Sequence, residues 1–166
     1  GEFDDLQGYL RSLRTRITIR RVAADLLPRA HQLFTKTNQF NLTTRRHALE
    51  ALERFADDPD CLFLMVRAED RFGDLGWIGA VLLRQTGGRE AHIDSFVLSC
   101  RAMGREIETA ILGYVRREAF ERRGCEALTA EYLPTAKNVP VRELYERQGF
   151  TVVEALPDGA KRYRLE

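Results

Sequence analysis

Apolar positions along the chain follow two different periods, one typical of helices and one typical of strands. Helical spacing predicts helices over residues 4–13, 25–37, 45–55, 104–123 and 141–148. Alternating or continuously apolar stretches predict strands over residues 16–22, 61–68, 76–84, 91–98, 127–132, 151–154 and 162–165. Asp25 is expected to cap the second helix, and the turn residues 70–74 to close a hairpin. This order predicts an α+β fold with a mixed, mostly antiparallel sheet and helices on both faces.

Composition narrows the classes of protein that the chain can represent. With 166 residues, 44% of them apolar and 31% charged, the chain is long enough for one core and too short for two. Its net charge of +1, from 26 basic and 25 acidic residues, gives no support to a nucleic-acid partner. The longest apolar run, residues 61–66, is too short to span a membrane, and no leader pattern is present. We therefore expect a cytoplasmic protein without a membrane partner.

Other compositional features limit the possible cofactors. The three cysteines and three histidines show no metal-ligand spacing, so we expect no metal and reduced thiols. Residues 1–3 look like a cloning remnant and are excluded from functional reasoning.

Two segments suggest a site for a phosphopantetheine thioester. Residues 99–105 follow an apolar strand and lead into a helix, whose unpaired amides and positive dipole end suit a phosphate. Residues 138–150 place Tyr145 on a short helix that Gly149 ends.

With the order of elements over residues 16–166, these two segments resemble the GNAT acyltransferase fold. The GNAT phosphate loop reads Gln/Arg-x-x-Gly-x-Gly/Ala, and Arg101 and Gly104 match it whereas Glu106 does not. Glu106 adds bulk and negative charge, which disfavours the pyrophosphate of coenzyme A and favours a carrier-protein arm with a single phosphodiester. The resemblance implies that the strand backbone holds pantetheine and that the following loop holds its phosphate. The residues concerned are Val97, Leu98 and Ser99, then Arg101, Met103, Gly104 and Arg105.

A closer resemblance is to the carboxy-terminal domain of FkbH-like proteins. The stretches that carry it are TNQFNLTTRR (37–46), DRFGD (70–74), IDSFVLSCR (93–101) and EYLPTAKN (131–138). It implies a HAD-type phosphatase-like partner domain in the same parent protein, and loading of a glyceryl group onto an acyl carrier protein in polyketide or related biosynthesis. The nucleophile signature DxDx[TV] of HAD-type domains does not occur here. Residues 4–15 are then the expected linker helix, and residues 16–166 the GNAT-like domain.

Six residues are candidates for catalysis. Tyr145 matches the GNAT tyrosine that protonates a departing thiolate, and its other interpretation is a packing residue. Asn138 either orients the pantetheine amides or caps the short helix. Cys100, which precedes the predicted helix and lies next to Arg101, either carries an acyl group or is inert. By strand alternation Asp94 and His92 share a face, as an acid–base pair or as a surface pair, and Glu131 is a further candidate base.

The loop between the first two predicted helices of the domain is the candidate site for the second substrate. Its polar side chains suit a polyol such as glycerate, or they bond to one another, with Thr43 or Thr44 capping the next helix. Arg45 and Arg46 can meet a substrate carboxylate or, together with Arg101 and Arg105, dock an acidic carrier protein; solvated helix faces produce such arginines as well. The expected substrate-binding residues are Asn38, Phe40, Asn41, Thr43, Thr44 and Arg45.

Three functions are compatible with these residues. The first is acyl or glyceryl transfer on a phosphopantetheine thioester. The second is a non-catalytic module that docks the carrier protein for a HAD-type domain, and the third is an N-acetyltransferase that uses acetyl coenzyme A.

Overall fold

A computed structural model describes residues 14–166, so the predicted helix over residues 4–13 and the suggested remnant at residues 1–3 lie outside the described part. In this described part, seven strands form one sheet in the order β1-β2-β3-β4-β5-β7-β6, and of its strand pairs only β4–β5 is parallel. The strands are β1 (Arg16–Arg21), β2 (Cys61–Asp70), β3 (Gly73–Gln85), β4 (Glu90–Leu98), β5 (Ala127–Tyr132), β6 (Thr151–Ala155) and β7 (Lys161–Leu165). The predicted α+β architecture with a mixed sheet is confirmed.

Within residues 14–166, four α-helices, two 3-10 turns and one π-helical segment cover the sheet. The helices are α1 (Leu27–Lys36), α2 (Leu49–Asp57), α3 (Ile107–Arg116) and α4 (Leu144–Arg147). The turns are the 3-10 segments Cys100–Ala102 and Val139–Val141 and the π-helical segment Arg117–Arg122 that continues α3. None of the helices within residues 14–166 is long and apolar enough to span a membrane.

Four predicted helix starts differ from the structure; the simplest case is the helix predicted from residue 141, which begins at Leu144 after a 3-10 turn. Asp25 forms an ion pair with Arg20 instead of capping α1. The predicted helix over residues 45–55 starts only at Leu49, because the Arg46 guanidinium binds the carbonyl oxygens of Phe34 and Thr37 and holds the preceding backbone against the end of α1. The helix predicted from residue 104 begins at Ile107, since Gly104 (φ +81°) and Glu106 (φ +59°) have left-handed backbone conformations.

Alternation along the central strands builds a hydrophobic core on each face of the sheet. On β2, Leu62 and Leu64 belong to the core that α3 and α4 cover, whereas Phe63 and Met65 belong to the core under α1 and α2. Burial on both faces explains why residues 61–66 are continuously apolar.

The sheet opens between β4 and β5, and this opening positions the candidate site. The two strands pair only from Glu90↔Ala127 to Ile93↔Ala130 and then separate. On the other side of β4 the register with β3 shifts between Ile93 and Ser95, so that Asp94 is the extra residue of a β-bulge. Residues 40–42, which we call the closing segment, lie in the gap, with an antiparallel bridge between Asn41 and Val97.

Candidate functional site

Two carboxylates, Asp94 and Glu131, mark the place where β4 and β5 separate. Arg45 links them, because its guanidinium donates to the main-chain oxygen of Asp94 at 2.7 Å and also binds the Glu131 carboxylate. Both carboxylates are largely buried, with 9% and 15% of their side chains exposed. Buried charges of this kind are costly unless they are paired, and here each has a cationic or histidine partner.

Asp94 lies in a pocket of hydrogen-bond donors and positive charges. Its Oδ2 lies 3.1 Å from His47 Nε2 and accepts a hydrogen bond from Ser95 Oγ at 2.7 Å, while Arg84 and Arg45 each lie 3.6 Å from Oδ1. Burial acts to raise the pKa of Asp94, but the bonds to His47 and Ser95 and the charge of Arg45 outweigh it and lower the pKa to about 2. Asp94 is therefore ionised at neutral pH.

His47 was not a candidate in the sequence. Its ring packs edge-on against Phe34 and Phe55, with centroids 5.3 and 5.4 Å away, and this packing aims Nε2 at Asp94 and Ser95. The periodicity places residue 47 inside a helix, whereas the structure has it before α2. A histidine within a polar segment was the only signal that could have indicated it.

Glu131 pairs with His92. His92 Nε2 lies 3.5 Å from Glu131 Oε1, and Nδ1 lies 2.8 Å from Thr129 Oγ1. The contact with His92 lowers the pKa of Glu131 most, burial opposes the shift and Arg45 adds to it, so the pKa lies at about 2. The predicted His92–Asp94 pair is not formed, because each side chain has another partner: His92 pairs with Glu131, and Asp94 pairs with His47.

A cavity of about 380 Å³ opens beside this second pair. Its lining includes His92, Thr129 and Glu131 from the parallel strands, together with Val153, Arg162 and Tyr163 from the closing hairpin. A small acceptor molecule in this cavity would lie against the His92–Glu131 pair. The described residues contain no group of three or more side chains that could hold a metal ion.

The closing segment occupies the edge of β4 that the sequence assigned to pantetheine. Leu98 N donates to the Phe40 carbonyl at 3.0 Å, and Leu42 N donates to the Phe96 carbonyl at 3.3 Å. On the opposite side of the gap, Leu133 N donates to the Leu42 carbonyl at 2.9 Å. In this conformation the β4 edge is not available to a pantetheine arm, and the contact predicted at residues 97–99 stays a prediction that requires the closing segment to move.

Asn138 holds the closing segment to the loop that follows β5. Its Nδ2 donates to the carbonyls of Asn41 and Leu133, both at 2.9 Å, and its Oδ1 accepts from Thr135 N and Tyr132 Oη. All of its side-chain polar groups are used inside a fully buried site, and none caps the 3-10 turn that follows. In this conformation Asn138 performs neither of the roles considered from the sequence.

Tyr145 lies in an aromatic cluster on α4. Its ring centroid is 5.1 Å from that of Phe150 and 5.2 Å from that of Tyr163, and only 1% of the residue is exposed. Burial, and to a lesser extent the charge of Glu131, raise the pKa of Tyr145 well above its usual range. The phenol therefore keeps its proton at neutral pH, as a proton donor must, and the packing role is also present.

Most polar groups of the loop over residues 38–45 bind within the protein. Asn38 accepts from Arg46, Asn41 donates to the Thr37 carbonyl and accepts from Thr44 N, and Thr43 donates to the Asp94 carbonyl at 3.1 Å. Neither threonine caps α2. Phe40 is buried against Phe96, with the centroids 5.2 Å apart. The self-bonded alternative describes this loop, except for Thr44 Oγ1, which is buried without a partner among the described residues.

Comparison with known proteins agrees with this architecture. The model of the acetyltransferase (GNAT) family matches residues 27–150. The chain belongs to the GNAT acetyltransferase family. No curated protein matches its sequence significantly.

Solved structures of GNAT proteins share the fold at low sequence identity. A putative GNAT acetyltransferase from Desulfovibrio desulfuricans superposes with a TM-score of 0.71 at 18% identity, over 91% of this chain and 99% of that one. The ribosomal-protein-S18-alanine N-acetyltransferase of Escherichia coli gives 0.66 at 18% identity over 90% and 93%. Spermidine N-acetyltransferase of Vibrio cholerae, in complex with CoA and spermine, gives 0.67 at 16% identity over 90% and 94%.

The phosphate loop of this GNAT domain differs from the sequence expectation. Met103 and Gly104 line a cavity of about 110 Å³ whose charged lining residues are Glu108 and Arg147. One carboxylate oxygen of Glu108 is buried without a partner among the described residues, and Arg147 forms an ion pair with Glu143. Arg105 does not line this cavity and pairs with the buried carboxylate of Asp70 at the end of β2. The cavity is a poor site for a phosphate, because it holds an unpaired acidic oxygen and because both nearby arginines, Arg105 and Arg147, already pair with carboxylates of the protein.

Cys100 and Arg101 also lie in surroundings that the sequence did not predict. Cys100 begins a three-residue 3-10 turn, well before α3, so it lacks the helix start that was expected to activate it. Its exposed thiol lies 3.3 Å from Gln39 Oε1. Arg101 lines a different cavity, against α1.

Proposed function

We propose that this GNAT domain transfers an acyl or glyceryl group between a phosphopantetheine thioester and a small acceptor. The observation that supports it is the clustering of two ionised carboxylates with two histidines at the opening between β4 and β5. A cluster of buried charges beside an open cavity is typical of a site of chemistry, since a purely structural sheet is more stable with apolar side chains there.

His92 is the proposed general base for the acceptor. When His92 donates Nε2–H to Glu131, its lone pair is on Nδ1 and accepts from the Thr129 hydroxyl, whose oxygen lies 2.8 Å away. Thr129 passes its hydroxyl proton to Nδ1 as it takes the proton of an acceptor hydroxyl or amine, and the resulting imidazolium is stabilised by the ionised Glu131. The deprotonated acceptor attacks the thioester carbonyl, the carbon–sulfur bond breaks, and the thiolate takes a proton, for which Tyr145 is the proposed donor.

Two thioesters are candidate donors, an acyl carrier protein and acetyl coenzyme A. The resemblance to FkbH-like proteins and the acidic residues Glu106 and Glu108 at the phosphate loop favour an acyl carrier protein, with a HAD-type domain as partner. Acetyl coenzyme A as donor for N-acetylation fits the fold no worse, since structural neighbours of the chain are N-acetyltransferases.

A second candidate function is a non-catalytic carrier-protein docking module. The observation that favours it is the closing segment, which satisfies the β4 edge with hydrogen bonds from the chain itself. A domain that binds the carrier protein without placing its pantetheine arm between β4 and β5 does not require an open β4 edge.

Intact-mass measurement after incubation with either thioester tests these functions. The domain is mixed with glyceryl-loaded carrier protein or with acetyl coenzyme A, each with small alcohol and amine acceptors. Catalysis at this site would be supported if the acyl group is lost from the thioester and Glu131→Gln slows that loss. Glu126→Gln, on the exposed surface, is the control and should not slow it. Carrier binding without loss of the acyl group would establish the docking function instead.

A further inference from the structure

A cavity of about 250 Å³ lies between α1 and the 3-10 turn after β4, on the α1 side of the sheet. Three cationic side chains line it, Arg29 and Lys36 from α1 and Arg101 from the turn, together with Thr37 and Ser99. It shares no lining residue with the small cavity beside Gly104. The two cavities are therefore separate sites.

The positive charges of this cavity are not balanced by the protein. Within residues 14–166, no carboxylate lies within ion-pair distance of Arg29, Lys36 or Arg101, although the chain as a whole carries nearly equal numbers of acidic and basic residues. Burial lowers the pKa of Arg29, and the nearby charge of Arg101 lowers it further. Like charges that converge on one cavity repel each other until an anion separates them.

Arg29 is held in a fixed position to receive such an anion. Its Nε donates to the Trp77 carbonyl at 3.0 Å and its Nη1 donates to Gln32 Oε1 at 2.6 Å. No hydrogen bond to a described residue uses Nη2. Since the guanidinium is already ordered, a ligand that binds Nη2 loses little additional side-chain entropy.

We propose that this cavity binds a phosphate group. Three positive charges match the charge of a phosphate ester, about −1.5 to −2 at neutral pH, better than that of a single carboxylate. The Thr37 and Ser99 hydroxyls that line the cavity can donate to the remaining oxygens. Two sources can supply the phosphate group: a small phosphorylated acceptor, whose monoester carries this charge, and the phosphodiester of a pantetheine arm, which carries one negative charge. Phosphate binding in this cavity does not require acyl transfer, so each can be present without the other.

NMR titration of the uniformly ¹⁵N-labelled domain with inorganic phosphate, at constant ionic strength, is the direct test. We expect saturable shifts of the amides of Thr37, Ser99 and Arg101. Lys36→Gln combined with Arg101→Gln should weaken binding by about tenfold or more, because two charge-assisted contacts are lost. Arg117→Gln combined with Lys137→Gln removes the same charge at positions outside the cavity and should leave the affinity unchanged.

Two further titrations separate the sources of the phosphate. Shifts with 4′-phosphopantetheine that extend to Gly104 identify the donor arm, whereas shifts with glycerol phosphate that extend to His92 identify an acceptor; either result supports the site. Shifts confined to residues 104–107, or equal weakening by both double variants, would overturn it. Spectral dispersion of each variant shows that it is folded.

Discussion

The closing segment gives the most direct test of how a thioester reaches this domain. Phe40 and Leu42 are 4% and 1% exposed, and three backbone hydrogen bonds hold the segment between β4 and the loop after β5. Exposing two such side chains costs about 3–6 kcal/mol. Loss of the three backbone bonds adds about 1.5–4.5 kcal/mol. Opening therefore costs about 5–10 kcal/mol, which makes the open form about 10⁻⁴ to 10⁻⁷ of the population. The apparent affinity for a pantetheine arm is reduced by the same factor.

Phe40→Ala changes this equilibrium in a calculable direction. The substitution removes about 1.5–3 kcal/mol of the burial that favours the closed form, so coenzyme A or phosphopantetheine should bind about 10- to 100-fold more tightly than to the unmodified chain. Calorimetric titration measures the affinity, and hydrogen exchange of the Leu98 amide reports the opening. Phe72→Ala removes the same side chain from an exposed turn and should change neither quantity.

Two results would refute this reasoning. The first is micromolar binding of coenzyme A to the unmodified chain with the Leu98 amide still protected, since the arm would then lie elsewhere. The second is equal affinity in Phe40→Ala and Phe72→Ala. Circular dichroism must accompany both variants, because truncation of a buried phenylalanine also destabilises the fold by about 3–5 kcal/mol.

Three further predictions concern single side chains. Because the pKa of Asp94 is lowered to about 2, the ionised carboxylate contributes fully to stability above about pH 4, and this contribution is lost as the pH falls through 2. The difference in free energy of unfolding between the unmodified chain and Asp94→Asn, measured in urea, should therefore shrink from pH 5 towards pH 2. Asn138→Ala should cost about 2–4 kcal/mol in urea unfolding, since buried partners lose their bonds, and a cost near that of the partly exposed Asn38→Ala would contradict the bracing role. Tyr145→Phe should change the free energy of unfolding by less than about 1 kcal/mol but slow acyl transfer by about 100-fold if the phenol protonates the thiolate. Unchanged turnover would show that Tyr145 has only a packing role.

Much of the fold follows from local patterns in the sequence. Alternation or continuous apolarity predicts every strand of the sheet, and the boundaries agree to within a few residues. The helix starts are less accurate, because contacts distant in sequence decide them. Arg46, for example, binds carbonyls at the end of α1 and delays the start of α2.

The sequence predicts which residues belong to the candidate site better than it predicts the contacts between them. Asp94, Glu131 and His92 do lie near one another at the opening of the sheet, but Asp94 pairs with His47 and His92 pairs with Glu131, whereas Asp94 and His92 were expected to pair with each other. Neither the bulge at Asp94 nor the insertion of the closing segment leaves a local signal in the sequence. The bulge depends on the register of β4 against β3, and the insertion depends on contacts with strands far along the chain. His47 was missed for the same reason.

The bulge at Asp94 explains how one strand serves both a core and a charged site. Without an extra residue, alternation would place Ser95 with Ile93, in the apolar core under α3, where its hydroxyl would lack a partner. The bulge lets Ser95 turn to the α1 side, where it binds both His47 and Asp94, while Phe96 returns to the α3 core. The same irregularity directs the Asp94 carbonyl into the gap, where Arg45 and Thr43 bind it. A single residue therefore links the separation of β4 from β5, the charge cluster and the anchoring of the loop that closes the gap.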